Sequence, residues 1–491
     1  MLFNSFAFAI FFIVVTLLYF LLPHKSRWWW LLAASCFFYM FFKPEFILIL
    51  AFTIVIDYYA GILIAQQTEK SRKRRYLIMS LIANIGILAV FKYYNFINGN
   101  ITGLATLVGM KNPIPYLDMV LPIGLSFHTF QAMSYTIEVY RGKQQAERHF
   151  GIYSLYVMFY PQLVAGPIER PQNMLHQFHE RHKFNYPDFA SGMRLIGWGL
   201  FKKVVIADRL AGITDPIFTN PQQYSAVALL MGSIFFSFQI FCDFSGYSDI
   251  AIGTGRVMGF KLMRNFDRPY SAGSVDEFWK RWHISLSTWF KDYLYIPLGG
   301  NRVSVSRRYV NLVIVFMLSG LWHGANWTFI IWGALHSMFV VVGGITRDAR
   351  NKITRVIGLD KIGWLNANIE KLTTFLLVSV AWVFFRANGV GKALSIFKRM
   401  GGIFTELAAI GKDGKLLAGK YLANVQVSTI MWSIVCIGFM ETVHYVQGKG
   451  SINALISRQP LAVRWAVYYF FAFCILYFGV FEKREFIYFQ F

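Results

Sequence analysis

The 491-residue sequence is 56% hydrophobic and only 15% charged. A soluble chain carries about a quarter of its residues as charges, so this apolar mass calls for a bilayer rather than water. The net charge of +23 does not indicate a nucleic-acid partner, because the basic residues lie in short loops between apolar runs, the pattern of positive-inside anchoring. The four cysteines, Cys36, Cys242, Cys436 and Cys474, stand singly in apolar runs, without disulfide or metal spacing.

The first apolar run, Phe6 to Leu22, lacks a basic leader and a small-residue cleavage site, and reads as a retained span. Further spans are expected near 28–42, 46–65, 76–96, 119–138, 150–165, 190–210, 225–253, 309–345 (two short elements), 373–387, 427–446 and 463–481. Several are too short for a bilayer or are broken by Gly and Pro, and these suit re-entrant or interfacial helices. About twelve true spans in an all-α integral membrane protein is the resulting expectation.

Loop charge sets the orientation. The loop QQTEKSRKRR at 66–75 is expected in the cytoplasm, as is the shorter loop with Lys25 and Arg27. Counting back places the N-terminus outside. Residues 347–371 are also basic, and Lys449, Arg458 and Arg464 precede the last span, so the tail FEKREFIYFQF also falls outside. The chain reads as one membrane domain (1–491): N-terminal helices over 1–100, a core over 101–345, C-terminal helices over 346–481 and an extracytoplasmic aromatic tail over 482–491.

Ionisable groups inside apolar runs are costly and mark function. His323 lies in SGLWHGANWTFIIWGALH, where an imidazole can exchange a proton near neutral pH. Small neighbours there admit a substrate, and Asn326 could orient a ligand. In DEFWKRWHISLSTWFKDYLYIPLGGNR, Trp279 and His283 are four apart and are expected to share a helix face, with Arg281 placed to bind a phosphate or tune a nearby group. Asp243, in FSFQIFCDFSGYSDIAIG, either holds an imidazole in one tautomer or forms a structural ion pair. In FYPQLVAGPIERPQ, the prolines and Gly166 suit a re-entrant turn with Glu169 and Arg170 at its tip. His176, His179 and His182 imitate a metal box, but steps of three spread them around a helix and no metal site is assigned.

Six strings taken together are similar to the membrane-bound O-acyltransferase superfamily, in the branch of alginate and peptidoglycan O-acetylation proteins. They are SFHTFQAMSYTIEVYRG, VAGPIERP, CDFSGYSDIAIG, FWKRWHISLSTWFKDYLYIPLGGNR, GLWHGANWTFIIWGALH and WVFFRA, which run in family order. The resemblance implies a ring of helices around a central funnel or tunnel, with His323 at the superfamily's invariant histidine and His283 at its second histidine. It implies a donor such as acetyl-CoA or a similar acyl thioester, with no permanently bound cofactor. It also implies an extracytoplasmic SGNH-hydrolase-like partner, with a surface polysaccharide as final acceptor, in a bacterial cytoplasmic membrane.

In that mechanism His323 is the general base, and His283, Asp243 and nearby donors orient the site. The ending with Phe486, Tyr488 and Phe491 resembles tails of related polymer-acylation systems, which makes Tyr488 a candidate acyl relay. A phenol, with pKa ~10, gives an ester still activated for a second transfer. Two other readings compete. A transporter without chemistry would be expected to show internal repeats, and none is evident. A relative acting on lipid or protein would need a long apolar side pocket.

Overall fold

The computed structural model describes residues 1–164, 166–413, 423, 425–481 and 486–489. Every regular element among them is helical. This is the backbone's solution where no water is available: a helix satisfies its own N–H and C=O groups. The chain divides into two compact units. One contains Met1–Ile196, Tyr247–Arg264 and Tyr488–Phe491, and the other Gly197–Gly246 and Asn265–Ile487.

In the first unit, α1 (Phe6–Leu21) starts where the Ser5 hydroxyl accepts the Phe8 N–H at 3.2 Å. It stops where Leu22, ahead of Pro23, turns extended, the conformation a following proline favours. After it come α2 (His24–Met40), α3 (Phe46–Gln66) and α4 (Lys70–Leu88), and later α5 (Leu125–Tyr140). Their interior is pinned by one polar clasp. Asp57 of α3 is fully buried and accepts from Ser80 Oγ (2.5 Å) and Asn84 Nδ2 (2.9 and 3.0 Å) of α4. Ser80 also meets Thr136 Oγ1 of α5 at 3.0 Å. These buried polar contacts tie the three helices together in one register.

The second unit takes the first part of α6 (Ala226–Val257), then α7 (Val275–Arg281), α8 (Ile284–Phe290), α9 (Val305–His323), α10 (Trp327–Ile345) and α11 (Gly363–Arg386). It closes with α12 (Val427–Lys449) and α13 (Leu461–Phe478). Helices α9 and α10 pack along their length. A Cβ at Gly320 would run into the Phe329 carbonyl, and one at Gly333 into that of Phe316, so only glycine lets these backbones approach so closely.

Seven helical stretches among the described residues are long and apolar enough to cross a bilayer. They are α3, the continuous Lys70–Leu107, α6, α10, α11, α12 and α13. Several other expected spans are interrupted for visible reasons. Pro161 follows a break between Phe150–Met158 and Tyr160–Leu163, so this stretch holds two short helices in place of one span. The 119–138 run becomes helical only after Gly124, which is left-handed at φ 73°. The 190–210 run widens into a π-type turn at Phe201–Ala207. Large apolar side chains face outward in continuous belts: on α13, Tyr469, Phe473, Leu476 and Tyr477 are exposed, Leu476 by 74%. Apolar exposure of this extent fits a lipid surface rather than water. The chain is a multi-pass membrane protein.

The clasp yields a test. Asn84→Leu removes the amide donor from a buried carboxylate and is expected to destabilise the protein by about 1–3 kcal/mol or more. The fall in thermal unfolding temperature of the detergent-solubilised protein measures this, and an unchanged temperature would deny the clasp its role.

Candidate active site

His323 is the last residue of α9. The helix cannot continue because Gly324 is extended (φ −162°), and Asn326 starts α10 by accepting the Thr328 N–H at 3.0 Å. Asn326 therefore acts as a helix cap in this structure. Gly324 has no room for a side chain: a Cβ there would strike the Phe329 ring. The buried His323 imidazole packs against Trp322 (centroids 4.9 Å apart), Trp332 of α10 (5.1 Å) and Phe385 of α11 (5.4 Å).

His283 departs from the helical expectation. Helix α7 ends at Arg281, Trp282 is extended, and His283 sits in the left-handed region at φ 43° and ψ 55°. Trp279 and His283 therefore do not share a helix face. The physical reason is Asn265. Its backbone carbonyl accepts the Ile284 N–H at 2.9 Å, and its Oδ1 accepts from Ser285 N (3.2 Å) and Ser285 Oγ (2.9 Å). That same Oδ1 lies 3.1 Å from His283 Nδ1. Because Oδ1 already accepts a backbone N–H, it acts as acceptor here too, and His283 carries its hydrogen on Nδ1. A left-handed backbone at a non-glycine residue costs roughly 1–2 kcal/mol, and such strain gathers at functional sites. His283 lies outside the seven spans. Burial pushes its imidazole down to about 3, so it is neutral at physiological pH.

One indole joins the two histidines. The Trp322 ring that packs on His323 also lies 6.3 Å from His283, edge to face. The His283 ring also meets Phe244 of α6 at 4.6 Å, edge to face. Trp279 joins from α7: its Nε1–H donates to His336 Nδ1 at 3.2 Å, and its ring packs on Trp332. Arg281 turns elsewhere, pairing with Glu277 at 2.5 Å, and Glu277 also accepts the Gly273 N–H.

Of the two readings of Asp243, the structure shows the ion pair. Its carboxylate lies 2.7 Å from Lys203 Nζ, which also lies 2.9 Å from Asp208, all three nearly fully buried. Asp243 Oδ2 in addition accepts the Ile487 N–H at 2.8 Å. Phe486 packs on Phe244, which itself covers His283. Tyr488 follows directly and is half-buried. Phe491, singled out with it in the sequence, lies outside the described residues.

In the first unit, Glu169 is not at an exposed tip. It is fully buried, and its carboxylate accepts the Met263 N–H at 2.5 Å. Burial raises its carboxyl to about 7. The three regularly spaced histidines diverge: His176 nears Glu180, His179 bonds Glu147, and His182 bonds the Gln177 carbonyl.

Residues 147–356, which include both His283 and His323, match the membrane-bound O-acyltransferase family. The chain is 38% identical over 399 residues to a probable alginate O-acetylase of Pseudomonas aeruginosa, covering 81% of this chain and 73% of that protein. A probable alginate O-acetylase of Azotobacter vinelandii is 36% identical, with 91% of each chain covered. The peptidoglycan O-acetyltransferase of Helicobacter pylori is 37% identical over 79% of this chain and 76% of its own. The chain belongs to the membrane-bound O-acyltransferase family.

As an O-acyltransferase, the protein needs a base near a dry reaction centre. Sequence reasoning reached His283 and His323 but missed Asn265 and His336. Asn265 carried no local signal, since its partners are eighteen to twenty residues away. His336 had one: Trp332 and His336 are four apart in WGALH, facing the same side of a helix.

Asn265→Ala would strip the shared acceptor from His283 and Ser285. A loss of at least about 2 kcal/mol is expected, since several buried donors are orphaned together. Chemical or thermal denaturation of the purified variant measures it, and a loss below about 0.5 kcal/mol would show that Asn265 does not hold the His283 turn.

Proposed function

We propose that this enzyme takes an acetyl group from a cytoplasmic thioester, with acetyl-CoA as donor, for O-acetylation of a cell-surface polysaccharide of alginate or peptidoglycan type. The observation that carries the reading is His323: a buried imidazole at a helix break, walled by Trp322, Trp332 and Phe385. Relatives named for alginate and peptidoglycan O-acetylation support the acyl group and acceptor class. His323 acts as general base on the accepting hydroxyl, a role typically worth 10²–10⁴-fold. His283 and Trp279 stand behind the rings that wall it, against Trp322 and Trp332 respectively, and the apolar rings keep out water that would hydrolyse a thioester.

The wider arrangement belongs to the same proposal. About twelve helices cross a bacterial cytoplasmic membrane in a ring around a funnel, with re-entrant and interfacial helices besides. Both termini lie outside, as the basic loops direct. An SGNH-hydrolase-like partner outside the membrane completes transfer to the polymer. Tyr488 is the relay that receives the acyl group before the partner does. Support comes from its place in the chain: its neighbour Ile487 is tied to Asp243, and Phe486 packs on the Phe244 ring that covers His283.

Two variants test this. His323→Ala should reduce ester-linked acetate on purified surface polymer to background at normal membrane abundance. Retained acetate would remove His323 from the chemistry. Tyr488→Phe keeps the ring and removes the nucleophile. It should abolish polymer acetate while leaving protein level unchanged, and normal acetate would dismiss the relay alone.

A further inference from the structure

Trp332 and His336 stand about one turn apart on α10, and Trp382 of α11 packs across them. Its ring centroid lies 5.7 Å from Trp332 and 6.3 Å from His336. All three side chains are 0% exposed. The Trp279 indole N–H, which donates and never accepts, points at His336 Nδ1. Nδ1 must therefore present its lone pair, and the neutral ring carries its hydrogen on Nε2. That Nε2–H and the indole N–H groups of Trp332 and Trp382 find no acceptor among the described residues.

Buried donors in native proteins are nearly always satisfied, so three on neighbouring rings call for a reason. The set contains donors alone. It offers nothing to a metal ion or an ammonium group, and it matches an oxygen that gathers negative charge. Trp332 places this set at the reaction centre, since its ring lies 4.9 Å from His336 and 5.1 Å from His323. Sealed from water, such donors act most strongly on charge that develops only during reaction.

We propose that His336, with the indole N–H groups of Trp332 and Trp382, receives the carbonyl oxygen of the acyl thioester and stabilises the oxyanion formed on it. This rests on the reading of His323 as base. The acceptor hydroxyl oxygen bonds to the carbonyl carbon and its proton moves to the His323 imidazole. The C=O π pair moves onto the oxygen held by the three donors. When that pair returns, the C–S bond breaks and the proton passes from His323 to the departing sulfur, giving an ester and a thiol.

The test uses the full-length chain in its own membrane vesicles, titrated with labelled acetyl-CoA, with base-labile label in polymer as the readout. His336→Phe should lower kcat by about 10²–10³ while KM moves less than about threefold, the signature of an interaction made in the transition state. His336→Gln restores an N–H donor and should recover at least about a tenth of the wild-type kcat. The midpoint of the pH profile should stay where the wild type has it, because the base is unchanged. Should His336→Phe fail to reach the membrane, Trp382→Phe carries the same test with an expected loss of about tenfold. A kcat within threefold of wild type overturns the proposal, as does a loss confined to KM or a displaced pH midpoint. Wild-type vesicles that transfer no label from the thioester would instead overturn the thioester-donor reading beneath it.

Discussion

An imidazole buried away from water has to be held by whatever surrounds it, and the surroundings here are mostly carbon. His323 touches three aromatic rings, and His283 is fixed through one amide oxygen. The second unit is organised to supply those neighbours. Glycines let α9 and α10 approach backbone to backbone, which brings Trp332 against His323. Asn265 forces His283 into a strained turn, which brings its ring to Phe244 and Trp322. The rings provide a dry wall, and the few hydrogen bonds fix which nitrogen carries a hydrogen.

Charge is handled by the same economy. Lys203 lies between Asp208 and Asp243 in a fully enclosed triad, with two carboxylates facing one ammonium. Replacing Lys203 would take the shared ammonium from two buried carboxylates at once, which costs far more than the intact group contributes. The remaining capacity of Asp243 goes to the Ile487 N–H, so the triad also fastens the chain's C-terminal segment. In the first unit Asp57 takes its partners from a hydroxyl and an amide instead, with no cation in hydrogen-bonding contact among the described residues.

Much of this was legible in the sequence, and the remainder was hidden for identifiable reasons. Long apolar runs announced helices in a bilayer, and the polar residues interrupting them announced the site. His323 was visible because Gly-Leu-Trp-His-Gly puts an imidazole among residues that have no reason to tolerate it. The turn at His283 was not visible: a helical spacing from Trp279 suggested one face, whereas a distant asparagine breaks the helix between them. Lys203 lies in an apolar run and went unremarked, although a buried lysine calls for a carboxylate as surely as Asp243 calls for a cation. The prolines of FYPQLVAGPIERPQ announced the interruption at Phe159, whereas the π-type widening at Phe201–Ala207 escaped because hydropathy carries no record of helix pitch.

The central claim is that a thioester on one side of the membrane gives up its acyl group, through His323, to an acceptor on the other. Sealed right-side-out vesicles loaded internally with labelled acetyl-CoA test it most directly, with ester-linked label on external polymer as the measurement. The account predicts that label accumulates outside for the wild-type chain, that free thiol appears inside in equal amount, and that His323→Gln abolishes both. Intact acetyl-CoA emerging from the vesicles, or external label undiminished in His323→Gln, would contradict it.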